Sequence, residues 1–196
     1  KNTENKTLIK PFFCGLFFEK KSSYKPSFYK DNMKIQLLSR TNLKEASELT
    51  LKVFDTSPED YDYPPRWFEA SLFPEKHKPI YDEFHVTSLR YYVATEKGKV
   101  VGTTGYYTLK ADEKEAYWLA WFCVDKERRG QGIGTKLIEF IVEKARKANK
   151  QYLRLYTSPG SDEADAQKLY DKWGFKTFKA EMIPMKYQYK RQYKEL

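Results

Sequence analysis

One stretch of the sequence decides the fold: Val124-Asp125-Lys126-Glu127-Arg128-Arg129-Gly130-Gln131-Gly132-Ile133-Gly134-Thr135. It follows residues 115–124, whose apolar character predicts a central strand, and it precedes a helix predicted from the spacing of apolar residues over Ile133–Ala148. Three glycines expose backbone N–H groups at the start of that helix, and two arginines add positive charge. The combination indicates a binding site for an anion such as a phosphate.

Two nucleotide-binding loops fit this stretch poorly. A Walker A loop ends in Gly-Lys-Ser/Thr, whereas Gly134-Thr135-Lys136 has the reverse order. A Rossmann turn reads Gly-x-Gly-x-x-Gly after the first strand, whereas the spacing here is Gly-x-Gly-x-Gly and comes late in the chain. Both nucleotide-binding folds are therefore disfavoured.

The elements after the glycine-rich stretch continue a sheet. Tyr152–Tyr156 is predicted as a strand parallel to the one at 115–124, because a helix connects the two. A helix and two strands are predicted to follow, over Asp162–Trp173, Phe175–Phe178 and Met182–Tyr189.

The elements before the glycine-rich stretch are a strand, two helices and a hairpin. Asn42, with Glu45 three residues on, is typical of a capping box, and apolar spacing continues this helix to about Phe54. The other predicted elements are a strand over 34–38, a helix over 65–72 and paired strands over 89–94 and 100–109. The order β-α-α-β-β-β-α-β-α-β predicts an α+β (mixed α/β) fold.

Two motifs occur in this order: Arg129–Gly134 reads Arg-Gly-Gln-Gly-Ile-Gly, and Ala166–Phe175 reads Ala-Gln-Lys-Leu-Tyr-Asp-Lys-Trp-Gly-Phe. Together they resemble the pyrophosphate loop and the Ala-x-x-Leu-Tyr-x-x-x-Gly-Phe signature of the GNAT superfamily of N-acetyltransferases. The resemblance is close over residues 115–178. From Met33 up to that segment, the chain resembles the family in topology only. It implies the GNAT acyl-CoA N-acyltransferase fold, a mostly antiparallel central sheet with a parallel, splayed strand pair, flanked by helices.

The resemblance also implies acetyl-CoA (coenzyme A) as the acetyl donor and an amine as the acceptor. In family members the pantetheine arm pairs with the central strand where it splays from its neighbour, and by position this places it on the backbone of Phe122, Cys123 and Val124. The pyrophosphate is then expected on the loop, at Arg129, Gly130, Gln131, Gly132, Ile133, Gly134 and Thr135.

Candidates for the chemistry follow from what direct transfer to an amine requires. Tyr170 occupies the tyrosine of the signature, which in the family often protonates the departing thiolate. The Phe122 N–H is the positional choice for stabilising the carbonyl oxygen. Glu115, at the start of the central strand, is a candidate base acting through water. Asp82, Glu83 and His85 are rivals, and a base is dispensable if the amine arrives neutral.

Two residues depart from the family pattern or invite a different mechanism. Glu163 stands where the family often has a cofactor-contacting asparagine, so that contact is not carried over, and its carboxylate suits the first turn of a helix. Cys123 suggests an acyl-cysteine intermediate, but no histidine is near it in the sequence. We interpret Cys123 as a buried, small apolar residue.

The composition excludes several classes of protein. The 196 residues contain 36 Lys and Arg against 27 Asp and Glu, a net charge of +9, and 40% hydrophobic residues, which rules out a disordered chain. Two cysteines and two histidines are too few for a disulfide framework or a cysteine- or histidine-rich metal centre, so no metal is predicted. Without an apolar run of about 20 residues, we expect a cytoplasmic location and no membrane partner.

The charge is unevenly distributed along the chain. Nine acidic and four basic residues lie between 48 and 89. Most of this acidic block falls in the region (43–85) that builds the acceptor site in folds that this one resembles. Carboxylates among aromatic side chains suit a cationic amine such as a polyamine, an aminoglycoside or a peptide amine. The residues concerned are Asp55, Glu59, Asp60 and Asp62, with Tyr61, Tyr63, Trp67 and Phe68.

Residues 1–32 differ from the rest and are predicted to be an extension, with the acetyltransferase domain at 33–196. Two alternatives stay open. The basic segment Lys186–Lys194 favours a nucleic-acid- or ribosome-associated protein if it forms a free arm, although its apolar pattern looks like a strand, which argues against nucleic acid. A relative that binds CoA without transferring acetyl groups is the other. A homodimer is also left open.

Overall fold

In this computed structural model, residues 33–54, 56–60, 62–158, 163–183 and 189–196 are described, and they form one sheet with helices on both faces. The predicted extension, residues 1–32, lies outside the described residues, so the domain boundary at Met33 stays a prediction. The strands are β1 Met33–Leu37, β2 Val86–Glu96, β3 Lys99–Leu109, β4 Ala116–Leu119, β5 Cys123–Val124, β6 Tyr152–Thr157, β7 Lys176–Ile183 and β8 Tyr189–Glu195. The helices are α1 Leu43–Val53, α2 Pro64–Leu72, α3 Lys78–Glu83, α4 Ile133–Lys147 and α5 Ala164–Trp173.

The strand order is β1-β2-β3-β4-β6-β8-β7, and β5 continues beside β3 beyond the end of β4. Within the described residues, β4 and β6 form the one parallel pair, connected through α4, and the other pairs are antiparallel. The mixed α/β fold with a parallel pair at its centre is confirmed.

Alternating side chains divide the core between the two faces of the sheet. On one face, α1 and α2 pack Leu49 and Phe68 against Tyr91 of β2. On the other face, α4 and α5 pack against Leu153 and Leu155 of β6. The apolar stripe predicted for α4 is entirely buried: Ile133, Leu137, Ile138, Ile141, Val142 and Ala145. Burial of these stripes therefore fixes both helix layers on the sheet.

Two predicted strands have different bounds in the structure. The stretch 115–124 is not one strand, because Trp121 adopts a left-handed φ of 30° and separates β4 from β5. The last strand predicted over Met182–Tyr189 touches two strands: Met182 and Ile183 end β7, Tyr189 begins β8, and positions 184–188 lie outside the described residues. The basic segment therefore contributes most of β8, which pairs with both β6 and β7.

The start of α1 also differs from its prediction. Asn42 precedes the helix as expected, but its side chain does not cap a helical N–H. Its Oδ1 instead accepts a hydrogen bond from the Ser39 N–H at 2.8 Å, which fixes the turn that leads into α1. Helix α3, which has no buried residue, was not predicted.

Candidate functional site

A gap opens in the middle of the sheet. Strands β4 and β6 pair in register only from Ala116 with Tyr152 to Trp118 with Arg154. Beyond that point β6 stays paired with β8 on its other side, while β5 pairs with β3. The edge of residues 119–124 that faces β6 therefore has no strand partner among the described residues, and its backbone groups are open to a ligand.

The edge of this gap contains a β-bulge. Leu119 lies opposite Tyr106 and Cys123 lies opposite Thr103, so one extra residue is present on the β4–β5 side. Trp121 occupies the bulge with its left-handed φ, and the Thr103 hydroxyl donates to its carbonyl at 2.8 Å. The bulge re-aims the backbone of the predicted residues Phe122, Cys123 and Val124.

The glycine-rich loop leads from the gap to the start of α4. Gly130 and Gly132 have φ values of 74° and 78°, which glycine adopts without strain. The first hydrogen bond of α4 joins the Lys136 N–H to the Gly132 carbonyl at 3.1 Å, so the N–H groups of Ile133, Gly134 and Thr135 have no acceptor within the helix. A Cβ on Gly130 would meet nothing within 4 Å, so the backbone there is open to close approach. The loop therefore fits an anion held by backbone amides.

The two arginines of the loop are held by carboxylates of other elements. Arg128 forms an ion pair with Glu96 of β2. The guanidinium of Arg129 lies 3.6 Å from an Asp165 carboxylate oxygen in the first turn of α5, and its Nε donates to the Val124 carbonyl at 3.4 Å. Arg129 thus spans from the loop to α5, whereas Gln131 is exposed.

Tyr170 lies on the α4–α5 face beside the bulge. Its ring centre is 6.1 Å from that of Phe122 and 5.6 Å from that of Phe175, and the residue is 5% exposed. Burial, with a smaller contribution from the charge of Glu163, raises the pKa of Tyr170 far above that of a free phenol. The hydroxyl therefore keeps its proton at any physiological pH.

Glu163 connects the start of α5 to the end of β6. Its carboxylate accepts hydrogen bonds from the Thr157 hydroxyl and from the Ser158 N–H, the latter at 2.9 Å. Gln167, one turn further along α5, donates to the Thr157 hydroxyl at 2.9 Å and to the Ser158 carbonyl at 2.8 Å. Glu163, which departs from the family pattern, therefore has a structural role in this side-chain network.

The structure separates the candidate bases from the gap. Glu115 is exposed in the turn before β4, so about 20 Å of strand lies between it and the bulge at about 3.3 Å per residue. Asp82, Glu83 and His85 precede β2, whose first residue pairs with the last residue of β3, at the same remote end of the sheet. None of these four is brought to the gap.

Cys123 faces α1 and not the α4–α5 side. Its Sγ lies 3.2 Å from the Thr103 hydroxyl oxygen and 3.8 Å from that of Thr50 on α1. Burial raises the pKa of the Cys123 thiol, so it stays protonated. This environment agrees with the interpretation of Cys123 as a buried, small residue.

The predicted acceptor residues have different surroundings in the structure. Phe68 is fully buried and packs on Tyr91, so it is a core residue, and Asp60 fixes its own turn by accepting from the Ser57 N–H at 2.7 Å. Asp62 is half-buried, and burial raises its pKa although the charge of Arg191 opposes the shift. Asp55 and Tyr61 lie outside the described residues.

Three residues beside the gap were not identified as candidate site residues from the sequence. Trp121 packs edge-on against Phe54 at the end of α1, with 5.1 Å between ring centres. On the other side of the gap, the Arg191 guanidinium lies 4.6 Å from the ring centre of Tyr156 at the end of β6. Trp121, Tyr156 and Arg191 come from separate elements, and no local sequence pattern links them.

Residues 87–177 match the family model described as acetyltransferase (GNAT) domain. This segment of the chain is therefore similar to the GNAT acetyltransferase domain. The matched segment includes the bulge, the glycine-rich loop and Tyr170. No curated protein sequence matches the chain.

Several solved acetyltransferase structures have the same fold. A GNAT-family protein from Desulfovibrio desulfuricans aligns with a TM-score of 0.67 and 18% identity, over 84% of this chain and 98% of that one. An N-acetyltransferase from Staphylococcus aureus Mu50 aligns with a TM-score of 0.63 and 17% identity, over 84% of this chain and 98% of that one. YncA from Salmonella typhimurium, solved with its cofactor acetyl-CoA, aligns with a TM-score of 0.62 and 13% identity, over 85% of this chain and 94% of that one.

Among the residues that the structure describes, no helix combines the length and apolar character needed to cross a membrane. The same residues contain no group of three or more His, Cys, Asp or Glu side chains that could hold a metal ion.

Proposed function

We propose that the protein is an acetyl-CoA-dependent N-acetyltransferase that transfers the acetyl group to a primary amine by direct attack. The observation that carries the proposal is the gap between β4 and β6, which runs from the bulge beside Tyr170 to the open amides of the glycine-rich loop. A long, anionic thioester substrate fits these two features together.

Acetyl-CoA is proposed to bind along this gap. The amide groups of the pantetheine arm pair with the free strand edge at Phe122, Cys123 and Val124, where a neighbouring strand would otherwise pair. The pyrophosphate accepts hydrogen bonds from N–H groups of the loop between Arg129 and Thr135. The start of α4 adds a favourable dipole, because its first N–H groups have no helical acceptors.

Tyr170 is proposed to assist the departure of CoA. Its raised pKa keeps the hydroxyl protonated, so it donates a hydrogen bond to the sulfur as negative charge develops. A free thiol has a pKa of about 8.5, far below that of the buried phenol, so Tyr170 stays protonated beside the thiolate. Its hydrogen bond to the sulfur is stronger in the thiolate than in the thioester, and this difference assists the departure of CoA. The Phe122 N–H stabilises the carbonyl oxygen in the same step.

No side-chain base is assigned to the reaction. The four sequence candidates, Glu115 among them, lie at the far end of the sheet. The amine is therefore proposed to arrive neutral and to lose its second proton to water after attack. On this mechanism the rate rises with pH until the acceptor amine is fully deprotonated.

The acceptor is proposed to be a cationic amine such as a polyamine, an aminoglycoside or a peptide amine. Asp62 offers a half-buried carboxylate on the loop between α1 and α2, and Trp121 and Tyr156 offer aromatic walls on either side of the gap. Arg191, on the Tyr156 side, disfavours a second positive charge close to the reacting nitrogen.

Calorimetric titration with acetyl-CoA, followed by thiol release with an amine panel, tests the proposal. We expect saturable binding of acetyl-CoA and release with spermidine, kanamycin or a lysine-containing peptide, but not with neutral or acidic amines. Absence of binding rejects the function, and binding without release supports the CoA-binding alternative. The nucleic-acid alternative loses its main support because β8 is paired on both sides.

A further inference from the structure

The bulge beside the gap is held by a hydroxyl on the neighbouring strand. We propose that Thr103 is a positioning residue that aims the Phe122 N–H at the carbonyl oxygen of the acetyl thioester. The proposal rests on the proposed function, because the oxygen belongs to acetyl-CoA. It adds a residue of β3 that neither of the two sequence motifs contains.

The geometry of one peptide group carries the proposal. The Thr103 hydroxyl donates to the Trp121 carbonyl at 2.8 Å, so that carbonyl points toward β3. The Trp121–Phe122 peptide is trans, and its carbonyl and N–H therefore point in opposite directions. The Phe122 N–H consequently points away from β3, toward the side of the gap, and no residue in the described ranges accepts a hydrogen bond from it.

The conformation of Trp121 needs such a restraint. Its φ of 30° lies in the left-handed region, which a bulky side chain rarely adopts. Strained backbone of this kind persists only where the surroundings over-determine it. Thr103 is 1% exposed, so the hydroxyl that donates to the carbonyl is held on a buried side chain.

Buried polar groups connect the Thr103 hydroxyl to α1. The single hydroxyl hydrogen of Thr103 goes to the Trp121 carbonyl, so the Cys123 thiol is the donor in its 3.2 Å contact with the Thr103 oxygen. Thr50 of α1 donates to the Ala46 carbonyl at 2.8 Å and lies 3.8 Å from the same sulfur. The bulge is thereby tied to α1 as well as to β3.

The next residue along β3 provides a matched control. Thr104 is also fully buried, but its hydroxyl oxygen has no hydrogen-bond partner in the described part of the chain. Thr103→Val and Thr104→Val make the same change of side chain on the same strand. Only the first removes a donor from the bulge, so a difference between the two variants isolates the hydrogen bond.

The experiment compares Thr103→Val, Thr104→Val and Thr103→Ser by calorimetry with acetyl-CoA, by thiol release with the best amine of the panel, and by the Phe122 amide signal in nitrogen-15 spectra of the free protein. We expect Thr103→Val to lower kcat at least tenfold while the Kd of acetyl-CoA changes less than threefold, because an oxyanion donor acts chiefly in the transition state. Its Phe122 signal should shift. Thr103→Ser should recover kcat to within threefold of the natural protein, and Thr104→Val should match the natural protein.

Equal kcat values and Phe122 signals in the two valine variants would overturn the proposal. So would a serine variant no better than the valine variant, because the methyl group and not the hydroxyl would then matter. If Thr103→Val does not fold, Thr103→Ala against Thr103→Ser makes the same comparison. Natural protein that binds no acetyl-CoA would reject the proposed function, while the Phe122 signal would still decide whether Thr103 positions the amide.

Discussion

Tyr170 shows how burial and chemistry are connected at a single residue. The side chain is enclosed by the bulge, α5 and Phe175, and this enclosure raises its pKa. A phenol that ionised near neutral pH would be a poor hydrogen-bond donor to a departing thiolate. The buried phenol remains a donor throughout the range in which the amine becomes neutral.

Tyr170→Phe is expected to lower kcat about a hundredfold without changing the Kd of acetyl-CoA, because only the donor to the sulfur is lost. In the natural protein, kcat should rise with pH and should not fall again below about pH 10, since the pKa of Tyr170 lies above the reference value of 10.0. Tyr92→Phe is the matched control: burial raises the pKa of Tyr92 to about 12, but that ring packs against Phe140, away from the bulge. Unchanged turnover in Tyr170→Phe at every pH would exclude the role.

We predict that the ionised Asp62 carboxylate lowers the stability of the fold and contributes to binding of the acceptor. Burial raises its pKa above the reference value of 3.8, so its favourable contribution is complete below that value and is lost as the pH rises through the folded-state pKa. We expect Asp62→Asn to raise the Tm at pH 7, with the gain disappearing near pH 3, and to raise the KM for spermidine.

The exposed Glu139, on α4, supplies the control for Asp62. Glu139→Gln should leave both the Tm and the KM near their natural values. A lower Tm for Asp62→Asn at pH 7 would show that the carboxylate is stabilised by a partner and does not bear a desolvation cost.

At the scale of elements, one buried carboxylate joins several strands. Asp112, in the turn between β3 and β4, accepts from the Trp118 indole N–H at 2.9 Å and from the Arg154 guanidinium at 2.7 Å. Arg154 in turn donates to Glu195 of β8 at 3.2 Å. Because Asp112 and Arg154 are only 12% and 17% exposed, this cluster holds the paired end of β4 and β6 together.

Asp112→Ala is expected to lower the free energy of unfolding by about 3 kcal/mol, because it leaves the buried guanidinium without one of its carboxylates. Chemical denaturation measures the change. Glu113→Ala, at the exposed neighbour in the same turn, should change the free energy of unfolding by less than about 0.5 kcal/mol. Equal effects of the two substitutions would contradict a structural role for the cluster.

The elements that could be predicted from the sequence are those with strong periodicity or a terminal glycine. The apolar stripe of α4 and the stop of α5 at Gly174 (φ 88°) are examples. The break at Trp121 could not be predicted, because nothing about a tryptophan between apolar neighbours indicates a left-handed φ. Helix α3 was missed because it buries no residue and so lacks an apolar stripe.

The site was predictable to the extent that it is local in sequence. The loop and Tyr170 belong to short motifs, and the structure places both at the gap, although their roles stay predictions. Glu115 was chosen for its position on a strand, but strand geometry carries it to the wrong end of the sheet. Trp121 meets Phe54, and Arg191 meets Tyr156, only through tertiary structure, which a single sequence does not encode locally. The cytoplasmic location and the acceptor also stay predictions.

For the whole molecule, the gap is a place where the sheet lacks internal hydrogen bonds, so its ligand should stabilise the fold. Acetyl-CoA at a hundred times its Kd is expected to add about 2.7 kcal/mol and to raise the Tm by about 5–10 °C. ATP, which has phosphates but no pantetheine arm, should give a smaller shift in the same thermal scan. An equal shift with ATP would indicate general anion binding at the loop and no use of the strand edge.

The position of β8 has a consequence for how the protein is made. β8 lies between β6 and β7 in the sheet but follows both in the sequence. During synthesis on the ribosome, the β2–β3 hairpin can form early because its pairing is local, whereas β6 and β7 each wait for β8 before they are joined. A nascent chain halted before residue 189 would contain the whole glycine-rich loop and still expose two unpaired strand edges, a hazard for aggregation and a target for quality control.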